Sequence, residues 1–366
     1  MNDTLLQLLE NQASVNGRYS KLQRISTSPG GGGNFSLTFT AYDQVMAQTV
    51  VLKFDDPWVP EKYRHECFDR EAAILAKFKG EPNVVQLFEG VSAFNFSVSL
   101  PGGAVLPIPL RFFSLEQARF SLFEYIQQPK KKYGPLRSLI YFREVCKGVQ
   151  RLHAAKVCHR DLRPQNCFVM TGSYVVVGDL GTAKVLFEDK AVPSPMAIYH
   201  EPVGALTHTA PELLCCLDSN ADIVFASDIY SLGAILFELF TKAELSGYLY
   251  SIQEITDTMI QPFSKVDDVS KRKQYFDASI GALEAACPLP NIEDIAPDGT
   301  VPESIRIRLN RLYKGLAALD YRKRMVRFDW VFMQIEIMTR ILLADLVRTR
   351  RAQFKARRRA VAQVIN

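Results

Sequence analysis

The chain has 366 residues, 48% of them hydrophobic and 23% charged, with a formal net charge of +5. That length supports a core large enough for about two domains, and the composition is that of an ordinary globular protein, which excludes a fibrous or disordered chain. No run of about 18 uncharged apolar residues occurs, so no membrane-spanning helix is expected. The seven cysteines are an odd number without CxxC spacing, which favours reduced thiols over a disulfide framework or a zinc site.

In chain order, "MNDTLLQLLENQ" carries acids and no basic residue. It reads as an amphipathic helix and not as a secretory leader, so a cytoplasmic location is expected. "YSKLQRI" and "LTFTAYD" read as strands around the glycine cluster "SPGGGGNFS", and "TVVLKF" at 49–54 as a third strand. In "PEKYRHECFDREAAILAKF" the residues Tyr63, Cys67, Glu71, Leu75 and Phe78 recur at helical steps behind Pro60, which suits a first turn. "PNVVQLFEG" and "RFSLFEYI" read as two more strands, separated by an inserted hairpin or loop at about 95–118 that holds paired glycines and three prolines.

From Leu136 the pattern turns helical. "ASDIYSLGAILFELF" is apolar nearly all round, as a buried central helix would be. The stretch 244–300 has no clear period, and helix formers dominate from Glu303 onward. The last 22 residues, from Asp345, hold seven cations against one acid; that segment is +6 and the rest of the chain −1. Such a tail is a solvated helical face, a contact for a phosphate-rich partner (nucleic acid or an anionic surface), or a site of self-association.

Short motifs follow one another in a fixed order. Gly31, Gly32 and Gly33 come first, then Lys53 in a strand and Glu71 on the next helix. "HRDLRPQN" at 159–166, "GDLG" at 178–181 and "APE" at 210–212 complete the series. Singly each is weak, since a glycine cluster is usually a turn and a strand lysine usually faces water. Jointly they resemble the eukaryotic-type protein kinase family over about residues 19–340.

The resemblance implies a two-lobed α+β protein kinase fold. The N-lobe, 19–126, would be a small antiparallel β-sheet with one main helix, and the C-lobe, 127–344, larger and helical. Residues 1–18 would be a helical extension and 345–366 the basic tail. It further implies ATP and Mg²⁺ as cofactors and a protein substrate as partner. Gly31, Gly32, Gly33 and the tip residue Phe35 would cover the phosphates, because backbone N–H groups without a Cβ approach them closely. Lys53, held by Glu71, would meet the α- and β-phosphates. Asp161 would be the catalytic base, and Asn166 and Asp179 the metal ligands, whose oxygens suit a hard cation. Val51 and Phe168 would sandwich adenine, with Glu124 and Ile126 offering backbone hydrogen bonds. Leu75, Leu87, His159 and Leu180 would form a buried spine, and Glu212 would pair with Arg324. Arg160 would receive a phosphate on Thr182, Ser194 or Tyr199.

The sequence departs from the family pattern in four places. Ser36 replaces the third glycine of the loop and Leu180 the usual Phe. Arg163 replaces the lysine that touches the γ-phosphate, and Ala205 stands where serine/threonine kinases place Thr, with Thr207 two residues on. The expected activity is transfer of the γ-phosphoryl group to Ser or Thr of a protein. The alternative is a pseudokinase scaffold that binds nucleotide or a partner.

Overall fold

The computed structural model describes residues 2–25, 36–57, 62–99, 105–128, 134–186, 206, 208–217 and 221–365. The chain groups into two compact units, Met1–Tyr125 with Arg151–Tyr199, and Ile126–Gln150 with His200–Asn366.

In the first unit, helix α1 (Asn2–Glu10) precedes a six-stranded antiparallel sheet in the order β1-β2-β3-β4-β6-β5. Its strands are β1 (Ser14–Val15), β2 (Tyr19–Arg24), β3 (Ser36–Asp43), β4 (Gln48–Asp55), β5 (Leu87–Ser99) and β6 (Val105–Glu116). Strand side chains alternate between faces, and β4 shows what that does here. Val50, Leu52 and Phe54 point to one face and join Phe39, Phe94, Phe96, Leu110 and Phe112 in a buried cluster. Leu6 and Leu9 of α1 cover that cluster, so the N-terminal helix is part of the core. Val51, Lys53 and Asp55 point to the other face, where α2 (Lys62–Lys77) packs; Phe68 of that helix meets Phe113 with ring centroids 4.7 Å apart. The sheet curls on itself, because Arg18 pairs with both Asp43 and Glu89 and Asn16 Nδ2 donates to Ala93 O at 3.0 Å across its edges.

Two expectations are corrected here. The segment drawn as an insert at 95–118 is a hairpin only at its far end. Its near end, 112–116, is a central sheet strand beside β4, pairing Lys53 with Phe113. The prolines hid it: Pro107 and Pro109 lie where β6 has outrun β4, on a stretch with one side open, and a missing N–H does no harm there. "RFSLFEYI" is not one strand. Phe120–Ser121 form the short β7, and Leu122–Gln127 turn at once into helix α3. Ser121 and Glu124 close a reciprocal cap, Glu124 N donating to Ser121 Oγ at 3.2 Å and Ser121 N to Glu124 Oε2 at 2.6 Å.

Helix α4 (Gly134–Ala154) leads to β8 (Val157–Cys158), β9 (Cys167–Val169), β10 (Val175–Val177) and β11 (Lys184–Val185). β10, β9 and β7 form a three-stranded sheet, and β11 pairs with β8. These short ladders frame two loops, 159–166 and 178–183.

The second unit is helical. After α5 (Pro211–Leu214), α6 (Ala221–Thr241) is buried along nearly its whole length. It is long and apolar enough to cross a membrane, yet 94% of its most apolar window is buried, as befits the expected core helix. Gly233 lets it approach Ala317, whose N lies 2.6 Å from where a Cβ would stand. Glu212 and Arg324, both 0% exposed at the side chain, pair through two parallel bonds as expected, and Tyr230 carries the guanidinium on its ring at 5.1 Å.

The unreadable stretch 244–300 proves helical too: α7 (Leu245–Leu249), α8 (Ile252–Ile255), α9 (Gln261–Ser264), α10 (Val269–Ala286) and α11 (Ile292–Ile295). α12 (Arg306–Leu316) and the 38-residue α13 (Phe328–Ile365) follow, the latter carrying the basic tail.

Candidate active site

The first unit brings together six of the residues singled out above. Lys53 projects from β4 toward α2, where Glu71 is buried. Lys53 Nζ donates to Glu71 Oε2 at 2.6 Å and to Asp179 Oδ1 at 2.9 Å. The lysine thus ties the helix to the loop that holds the expected metal ligand. Burial opposes its charge, but the carboxylates of Asp179 and Glu71 outweigh burial and hold the ammonium above its usual range. Burial pushes the Glu71 carboxyl up to about 7 against the pull of Lys53, with Asp179 adding to the rise. Asp179 is half-buried, which pushes its carboxyl up, but the charge of Lys53 overrides that and keeps it below the usual range.

The loop after β8 presents the second group. Asp161 is held from behind by Asn166, whose Nδ2 donates to the Asp161 backbone O at 2.8 Å and to Oδ2 at 3.1 Å. With its N–H groups engaged, Asn166 keeps its amide oxygen for a cation. Gly178 N donates to Asn166 O at 3.0 Å, so the loops of Asn166 and Asp179 are tied together. An amide oxygen and a carboxylate on linked loops suit a hard cation such as Mg²⁺. Arg163 Nε lies 3.9 Å from Asp161 Oδ2, an ion pair too long for a hydrogen bond, and both side chains are 14% exposed.

The backbone beneath is specialised. His159, fully buried, donates through Nε2 to Gly178 O at 2.9 Å, which fixes its tautomer. Gly178 has no room for a side chain, since a Cβ would stand 2.5 Å from Val85 Cγ2. Arg160 (φ 68°) and Asp179 (φ 59°) are left-handed, a strained conformation for residues with a Cβ. Leu75, Leu87 and Leu180 are buried, as the spine reading requires. Val51 and Phe168 are half-buried on β4 and β9.

Other expectations fare differently. Gly31, Gly32, Gly33, Phe35, Ala205, Thr207, Ser194 and Tyr199 lie outside the described residues. Glu124 and Ile126 are corrected as adenine anchors. They sit in α3 and not in an extended segment, and Glu124 N–H is already engaged by Ser121 Oγ. The signal for this was present: "SLFE" has the spacing of a capping box. Sequence reasoning also missed Arg70, 1% exposed on α2, which donates to Gly181 O at 3.1 Å and so fastens the helix to the Asp179 loop.

The order of these groups along the chain matches a family model described as the protein kinase domain over residues 27–325. The chain belongs to the protein kinase domain family. The chain is 33% identical over 171 residues to serine/threonine-protein kinase Nek3 of Mus musculus, a match spanning 46% of this chain and 29% of that protein. Neither similarity supports nucleic-acid binding or self-association through the tail. Beyond the matched residues, Arg348, Arg350, Arg351 and Lys355 of the tail are exposed on α13.

Proposed function

We propose that this kinase domain transfers the γ-phosphoryl group of ATP to a Ser or Thr hydroxyl of a protein. The observation that carries the reading is the network Glu71–Lys53–Asp179, joined through Gly178 to Asn166 and Asp161. A cation in that network can meet phosphate oxygens while the buried Glu71 and the half-buried Asp179 hold it in place. Mg²⁺, when bound by Asn166 and Asp179, supplies charge that offsets the phosphates. Asp161 takes or orients the proton of the attacking hydroxyl; the new bond forms from that oxygen to the γ-phosphorus as the bond to the β–γ bridging oxygen breaks. Arg163 offers its guanidinium to the transferred group, and Val51 and Phe168 enclose the adenine.

A scaffold without transfer has no need of Asn166 bracing Asp161 beside a metal-ligand carboxylate. The relative's printed name and the "DLRPQN" loop favour a Ser/Thr acceptor. Incubation with labelled ATP, Mg²⁺ and a degenerate peptide mixture, followed by acid hydrolysis, tests this. Label on phosphoserine and phosphothreonine is expected; label confined to phosphotyrosine refutes the acceptor assignment.

A further inference from the structure

Helix α2 meets the sheet at a second charged point besides Lys53–Glu71. On the β4–β6 ladder Lys53 stands opposite Phe113, and two residues further along the same face come Asp55 and Arg111. Arg111 is forked. Its Nε donates to Asp55 Oδ2 at 3.0 Å, and Nη1 donates to Asp69 of α2 at 2.8 and 3.0 Å. His65, one turn before Asp69, places Nδ1 2.8 Å from Asp55 Oδ1. Between the two charged points, Phe68 stacks on Phe113 and takes the Arg111 guanidinium over its ring at 5.5 Å.

A single ion pair lets a helix pivot about it. A second, about 7 Å further along the strand with a ring between them, fixes both its rotation and its height above the sheet. Asp55 is only 6% exposed, so its carboxylate depends on the cations that reach it. We propose that Arg111, acting through Asp69 and Asp55, is a positioning residue for phosphoryl transfer, holding α2 where Glu71 reaches Lys53. The inference rests on the kinase reading above. It assigns Arg111 no contact with substrate: its effect passes through the helix.

The test is a double-mutant cycle on the full chain, using Arg111→Gln and the milder Asp69→Asn, each alone and combined with Glu71→Gln. Each single variant is expected to lower kcat about tenfold while KM for the acceptor peptide holds. In the Glu71→Gln background, where the link is already lost, the further loss should be under about twofold. Arg111→Lys should recover part of the rate. Equal losses in both backgrounds, or a wild-type rate in Asp69→Asn, overturn the proposal. Hydrogen exchange of residues 62–77 supplies a readout independent of turnover. Faster exchange in both variants is expected, and unchanged exchange overturns the clamp even if the wild-type chain transfers no phosphate.

Discussion

Arg163 puts a guanidinium where the family's pattern has an ammonium, two residues past Asp161. Its Nε is buried, has no hydrogen-bond partner among the described residues, and stands 3.9 Å from Asp161 Oδ2. In the proposed reaction, a forked cation with a free Nε–H beside Asp161 can take an incoming phosphate. Arg163→Ala should lower kcat by about 100-fold, as loss of one aimed donor does, and Arg163→Lys by less than about tenfold; steady-state rates with a peptide acceptor decide, and an alanine variant at the wild-type rate contradicts the role. Glu71 gives a pH signature. With its carboxyl pushed up to about 7, it holds a proton more tightly folded than unfolded. Its contribution to stability is therefore complete below its ordinary 4.5 and fades as pH rises to about 7. Activity runs the other way, since only the ionised form fixes Lys53. The value of kcat/KM for ATP should climb with pH and level off above about 7, and Glu71→Gln should lack that limb. The same limb in the Gln variant would assign it to another group.

At the scale of elements, packing decided what could be read from sequence. β4 and α6 were legible because an apolar run or an all-round apolar helix has few alternatives. α2 was legible because its buried residues recur at helical steps. β6 was obscured by prolines that its free edge tolerates, and α3 by residues that suit strand or helix equally until the Ser121–Glu124 cap chooses. α10 buries only Arg272, Phe276 and Ile280, a stripe one residue wide that includes a charge, so no period emerged. The contact of α6 with α12 rests on Gly233. Gly233→Ala would force a methyl to 2.7 Å from Ala317 Cβ and should cost about 1–3 kcal/mol in denaturant unfolding, by overpacking. An unfolding midpoint equal to wild type would show that the two helices can move apart freely.

For the molecule as a whole, the residues of the candidate site were more legible than the architecture that brings them together. Lys53, Glu71, Asp161, Asn166 and Asp179 announce themselves by order and spacing, because in the proposed reaction each has to meet the same phosphates and metal from a fixed place in the fold. Arg70 and Arg111 do not. Their partners, Gly181 and the pair Asp55 and Asp69, lie 111, 56 and 42 residues away in sequence, and only the folded chain brings them together. The covering of the sheet by α1 was likewise invisible, since an amphipathic helix does not name the face it will bury. These supports converge on one claim, that the network around Lys53 serves an Asp161 that takes part in transfer. The most direct measurement compares phosphate incorporation from labelled MgATP into a protein acceptor by the wild-type chain and by Asp161→Asn, with both shown to be folded and to bind nucleotide equally. A fall of at least about 100-fold in the variant is expected. Equal incorporation by the two proteins, or none by either, would contradict it.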